Sequence, residues 1–282
     1  MLSPAKSKRL HFHPPLSTSS RVLFRVRLKT QKEPLDFSVK RIVQKMSQEM
    51  LMKTVAPQTL FSLDMRNVTD LFPGFVPGDF AVVYGSPSVV SLASLLCVRA
   101  QLPIQLGGLE SNVVFIDGGN TFRLYQVARL AQVHQLDPKQ TLDRIYISRA
   151  FTAYQMTTLL MEHLKSAVER FNAKLVVISD IAGLFLDDDV PSEEARRVFS
   201  QVLMYLQKFA RENQIILIAT YLPRPNDSRN LYLHTLTCGR ANVVIALRQT
   251  KYEREFALEK HPRLILGSAE LPSDNINLTH FM

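Results

Sequence analysis

Six apolar runs punctuate the chain at intervals filled by helical patterns: residues 80–84, 113–117, 145–149, 175–179, 215–220 and 243–248. Apart from 145–149, IYISR, each is a near-continuous apolar stretch rather than an apolar/polar alternation, the signature of strands buried on both faces. Between them, apolar residues recur at helical spacing. In the stretch from about Ser192, for example, Val198, Val202, Leu206 and Phe209 form one stripe. Strands alternating with helices predict an α/β domain with a central, mostly parallel sheet flanked by helices. Right-handed crossovers place every strand's C-terminal end on one edge, where such folds bind ligands.

That edge directs attention to the first strand. It runs into Gly85 and a helical pattern from about Ser91, the outline of a phosphate-binding loop, G-x-x-x-x-G-K-[ST]. Counted from Gly85, Val90 stands at the second glycine, Ser91 at the lysine and Leu92 at the Ser/Thr. Valine disfavours the positive φ that glycine supplies, Ser91 brings no charge and Leu92 cannot meet a metal. Pro87 has no N–H to offer, and 10 glycines in 282 residues are about half the usual ~7%. Two later strands end in acids, Asp117 and Asp180. A degenerate nucleotide site would comprise Gly85, Ser86, Ser88, Ser91, Asp117 and Asp180, with backbone N–H groups near Ser88–Leu92 as its remaining phosphate donors.

Residues 116–155, IDGGNTFRLYQVARLAQVHQLDPKQTLDRIYISRAFTAYQ, together with the closing EKHPRLILGSAEL, resemble the ATPase core of the RecA/RadA recombinase family. The likeness extends over roughly residues 60–270 and implies a RecA-like P-loop NTPase core. It also implies that an acid in a Thr-Glu-Gly turn activates the attacking water, and here Gly119 occupies that place. Asp180 matches the magnesium-supporting acid, Tyr221 replaces a nucleotide-sensing glutamine, and the Arg149 block pairs an arginine with an acid while Phe151 packs under the sheet. Lysine, hydroxyl, catalytic acid and sensor are absent together. No catalytic residue is therefore assigned, and ATP with magnesium is a disfavoured ligand.

Charge refines this picture. Residues 1–55 hold 12 of the 34 Lys/Arg and three of the 25 Asp/Glu, which accounts for the net charge of +9 and leaves 22 of each beyond. Residues 1–57 read as a basic, disordered leader: an electrostatic arm, a transit peptide or an over-called start ahead of Met46. Residues 58–282 read as the core domain. The family's two DNA-contacting loops correspond to LDDDVPSEE, whose Asp187, Asp188 and Asp189 repel phosphates, and to YLPRPNDSRNLYLH. In the second, Arg224, Arg229 and Tyr232 are the candidate contacts to single-stranded DNA. Cys97 and Cys238 lie far apart and imply neither a disulfide nor a metal site. No apolar run approaches the ~20 residues of a membrane span.

The expected function is a catalytically inactive recombinase paralogue, an accessory or adaptor in DNA recombination and repair. Its expected partners are recombinase subunits or further copies of itself, and DNA. Alternatives are a DNA-dependent ATPase with non-standard phosphate ligands, or a RecA-fold regulator unrelated to DNA. A cytoplasmic or nucleoid-associated location is expected, with organellar import or the nucleus left open.

Overall fold

A computed structural model describes residues 60–271, except Pro225 and residues 251–252. The leader reading and the start-codon question lie outside the described residues. The six expected strands all form: β1 (Phe80–Gly85), β2 (Asn112–Asp117), β3 (Ile145–Arg149), β4 (Ala173–Ser179), β5 (Ile216–Tyr221) and β6 (Val243–Gln249). Two more, β7 (Arg254–Lys260) and β8 (Gly267–Leu271), make the closing hairpin. The sheet order is β3-β2-β4-β5-β1-β6-β7-β8. Pairing is parallel from β3 to β6 and antiparallel for β7 and β8.

Alternating residues along β1, β2, β4, β5 and β6 feed two cores, which is why these strands read as unbroken apolar runs. On one face, Ala81, Val83, Phe115, Val177 and Ile218 pack under α1 (Ser88–Arg99) and α2 (Leu124–Val133), together with Phe61, Phe72 and Phe75 of the preceding segment. A short α3 (Pro138–Asp143), capped by Asp137, leads into β3. On the other face, Val82, Ile116, Ile178 and Leu217 pack under α4 (Ala153–Thr158) and its continuation α5 (Leu164–Phe171), and under α6 (Ser192–Asn213) and α7 (Ser228–Arg240). In α6 the buried stripe runs through Phe199, Val202, Leu206 and Phe209. Arg99, 1% exposed, ties the N-terminal segment down by donating to the carbonyls of Ser62 (2.9 Å) and Leu106 (3.1 Å) and pairing with Asp64 at 3.3 Å.

Two expectations are corrected here. Residues 221–234 are not one loop, because Asp227 accepts the Asn230 N–H at 3.1 Å as an N-cap and a helix follows from Ser228. Phe151 does not pack under the sheet but is 69% exposed. β3 is an edge strand, and Ala150 and Ala153 occupy the core positions at its end.

Candidate functional site

The turn from β1 into α1 is built differently from a phosphate loop. Gly85 has φ +116°, and a Cβ there would lie 2.4 Å from the Leu247 carbonyl oxygen of β6. The next amide, Ser86 N–H, donates to that same oxygen at 2.8 Å. Pro87 then adopts helical angles, so α1 begins at Ser88 and only two residues separate it from Gly85. The N–H groups of Val89 and Val90 donate to the carbonyls of Ser86 and Pro87, both at 3.1 Å. Amides that a phosphate-binding loop turns toward its ligand are here spent on carbonyls.

Val90, Ser91 and Leu92 consequently fall inside α1. Leu92 is core, and the Ser91 hydroxyl accepts from Gln126 Nε2 of α2 at 2.9 Å. β6 brings Arg248 close by, one residue beyond Leu247, the register partner of Gly85. Its guanidinium is shared between Glu255 (3.0 Å) and Glu259, the latter also accepting from the Tyr84 hydroxyl at 2.6 Å. No local sequence signal points to this cluster, since its acids arrive from β7. Gly85→Ala is expected to cost about 3 kcal/mol, through backbone strain and collision with Leu247. A denaturant midpoint unchanged by that substitution would mean the turn is free to relax.

At the end of β2, Asp117 is fully buried. It accepts from Thr121 N–H (2.8 Å), Phe122 N–H (3.3 Å) and the Ser179 hydroxyl (2.8 Å), and it pairs with Arg149 at 3.0 Å. Burial raises the carboxyl's pKa, but these donors together hold it below its ordinary value. The expected pairing of Arg149 with an acid is thus present, and Asp117 spends its oxygens on fixing the 118–122 turn. Asp180 sits just past β4 with φ +47°, its N–H donating to the Thr220 hydroxyl at 2.9 Å. Burial raises its pKa, against the opposing charge of Arg224 and the N–H groups of Gly183 and Leu222. Two glycines pack directly on it. A Cβ at Gly183 would lie 2.2 Å from Asp180 Oδ2, and one at Gly119 would lie 2.8 Å from Asp180 Cβ and 2.9 Å from Thr121 Cγ2. The position matched to the catalytic acid is therefore also one where the fold leaves little room for a side chain.

The remaining candidates separate. Arg229 donates to the carbonyls of Phe185 (3.3 Å), Asp187 (2.8 Å) and Val190 (2.9 Å), which assigns its guanidinium to bracing the acidic 186–190 segment rather than to an open surface. Tyr232 lies under Arg196, whose guanidinium carbon is 4.8 Å from the ring centroid. Arg224 is exposed and acts on Asp180. Tyr221 is buried and donates to the Asn230 carbonyl at 2.9 Å, which makes it part of the core under α7. Gly85, Ser86 and Ser88 thus meet at β1, Asp117 and Asp180 at the β2–β4 edge, and Ser91 lies apart on α1.

Sheet order, the β1–α1 crossover and the acids at the ends of β2 and β4 define a RecA-like α/β core. The Rad51 family model matches residues 71–227, more than half of the chain, and the chain belongs to that family, recombinases of DNA recombination and repair. Among curated proteins it is similar to the DNA repair and recombination protein RadA of Cenarchaeum symbiosum (strain A), 33% identical over 90 residues. That match takes in 32% of this chain and 22% of the relative, so the chain aligns with about a fifth of that protein's length.

Proposed function

We propose that this chain is a catalytically silent member of its family, an accessory or adaptor in DNA recombination and repair that binds recombinase subunits, DNA or both. The observation that carries the reading is the β1–α1 turn, two residues long, with the amides of Ser86, Val89 and Val90 already bonded to carbonyls. Neither these amides nor the side chains of Ser91 and Leu92 fit a nucleoside triphosphate with its magnesium. Gly119, packed against Asp180, leaves no carboxylate to orient water. Function then rests on surfaces rather than turnover. β3 ends the sheet, with no strand beside its outer edge among the described residues and with Ile147 exposed, a geometry suited to edge pairing with a related subunit.

Titration of the full chain with ATP and magnesium by calorimetry tests this reading. No heat of binding at millimolar nucleotide is the expected result. Micromolar, magnesium-dependent binding would overturn it and revive the DNA-dependent ATPase.

A further inference from the structure

We propose that the corner where β2 and β3 end is a stacking surface for single-stranded nucleic acid; the inference rests on the DNA-binding half of the function proposed above. The two strands finish in register, Asp117 opposite Arg149, and Ala150 N–H donates to the Asp117 carbonyl at 3.1 Å. Their connections therefore leave the sheet side by side. The first carries Leu124 and Tyr125 at the start of α2, and the second carries Phe151 and Tyr154 around the start of α4. These side chains are 50%, 88%, 69% and 56% exposed, respectively. Three aromatics this open stand on connections that leave neighbouring strand ends, one feeding a helix on each face of the sheet, and exposed apolar groups of this kind mark interaction sites.

The backbone that presents them is fixed. Phe151 N–H donates to Gln155 Oε1 at 2.8 Å, and the Thr152 hydroxyl caps α4 by accepting from Gln155 N–H at 3.2 Å. Ala150 and Ala153 fill the core beneath, so the Phe151 ring has no inward place to pack.

Charge selects the occupant. Residues 118–136 and 146–161 contain Arg123, Arg129 and Arg149 and no Asp or Glu, within a chain that beyond residue 55 carries equal numbers of acids and bases. Arg123 and Arg129 are exposed, while Arg149 is paired with Asp117. Glu194, at the start of α6, reaches the Tyr154 hydroxyl. Open aromatic faces flanked by arginine match a polyanion with bases to stack, and stacking of this kind is tolerant of sequence. By contrast, the acidic 186–190 segment turns phosphates away from the loop beyond β4, and Arg229 is engaged in bracing that segment.

The chain has no tryptophan, so Tyr125→Trp places a single reporter at this corner. The full chain carrying it is titrated with end-labelled oligothymidylate, reading indole fluorescence and oligonucleotide anisotropy together. The expected result is quenching that saturates with the anisotropy. Tyr125→Ala and Phe151→Ala should each weaken binding about tenfold without changing its salt slope. Arg123→Ala should lower that slope by about 0.7. Melting temperatures should not move, because all three side chains are exposed.

Anisotropy rising with an unquenched indole, and alanine variants binding like the parent, would overturn the proposal while leaving DNA binding through another part of the chain intact. Absence of any oligonucleotide binding would overturn both. Loss of binding to a recombinase subunit in the alanine variants, with oligonucleotide binding unaltered, would assign the corner to protein and overturn the proposal as well.

Discussion

Asp117→Ala should lower the stability of the fold by about 4 kcal/mol, because hydrogen bonds to a buried carboxylate contribute about 1.5–3 kcal/mol each and are not additive. The carboxylate satisfies two backbone N–H groups and the Ser179 hydroxyl and anchors Arg149, so its removal releases the 118–122 turn and the end of β3 together. For a domain of this size that corresponds to a fall in Tm of roughly 10 °C, measurable by calorimetry. The effect should depend on pH in a definite direction. Asp117 titrates below its ordinary value of 3.8, so its contribution is complete above that pH and is lost as pH falls through the lowered pKa. The gap between parent and variant should therefore narrow below about pH 4. Asp79 and Asp180, whose pKa values burial raises, act in the opposite sense and are common to both proteins. A variant within about 1 kcal/mol of the parent at neutral pH would show that the turn holds without its acid.

Gly119→Glu, which returns a carboxylate to the position matched to the catalytic acid, should give no ATP hydrolysis and should cost about 2–3 kcal/mol by overpacking. The new Cβ, at an exposed position, would sit 2.8 Å from that of half-buried Asp180, which brings two carboxyl groups together. Asp180→Ala in the same chain should recover part of the loss, because the collision and the like-charge repulsion act through that side chain. Denaturant unfolding of both single variants and the double variant measures this coupling. Additive losses, or magnesium-dependent hydrolysis by Gly119→Glu, would mean that the corner opens more readily than its packing indicates.

The residues that the sequence made legible are those whose chemistry is local or repeated. A strand buried on both faces must be apolar at successive positions, so β1, β2, β4, β5 and β6 stood out as short Val/Ile/Leu-rich runs. Resemblance to the family supplied the Arg149 pairing and the closing hairpin, and both are present. Boundaries were less legible. α1 was expected from about Ser91 and starts at Ser88, because Pro87 takes helical angles at the position before it. The first half of α7, residues 228–234, reads as loop because it opens on Ser228, Arg229 and Asn230 in place of an apolar stripe. Its stability comes from the Asp227 cap and from Leu233 and Thr237 reaching the core.

What the sequence determined by itself was the alternation of buried strands and amphipathic helices, which follows from residue type alone because burial demands apolar side chains. Only the tertiary structure decided which polar groups were already engaged. Leu247 of β6 takes the Ser86 amide, three carbonyls of the 185–190 segment take Arg229, and Asp180 occupies the space above Gly119. These partners are distant in sequence and meet only when the crossovers place them on one sheet edge. The exposure of Phe151 was decided in the same way, by β3 lying at the end of the sheet with Ala150 and Ala153 in the core positions.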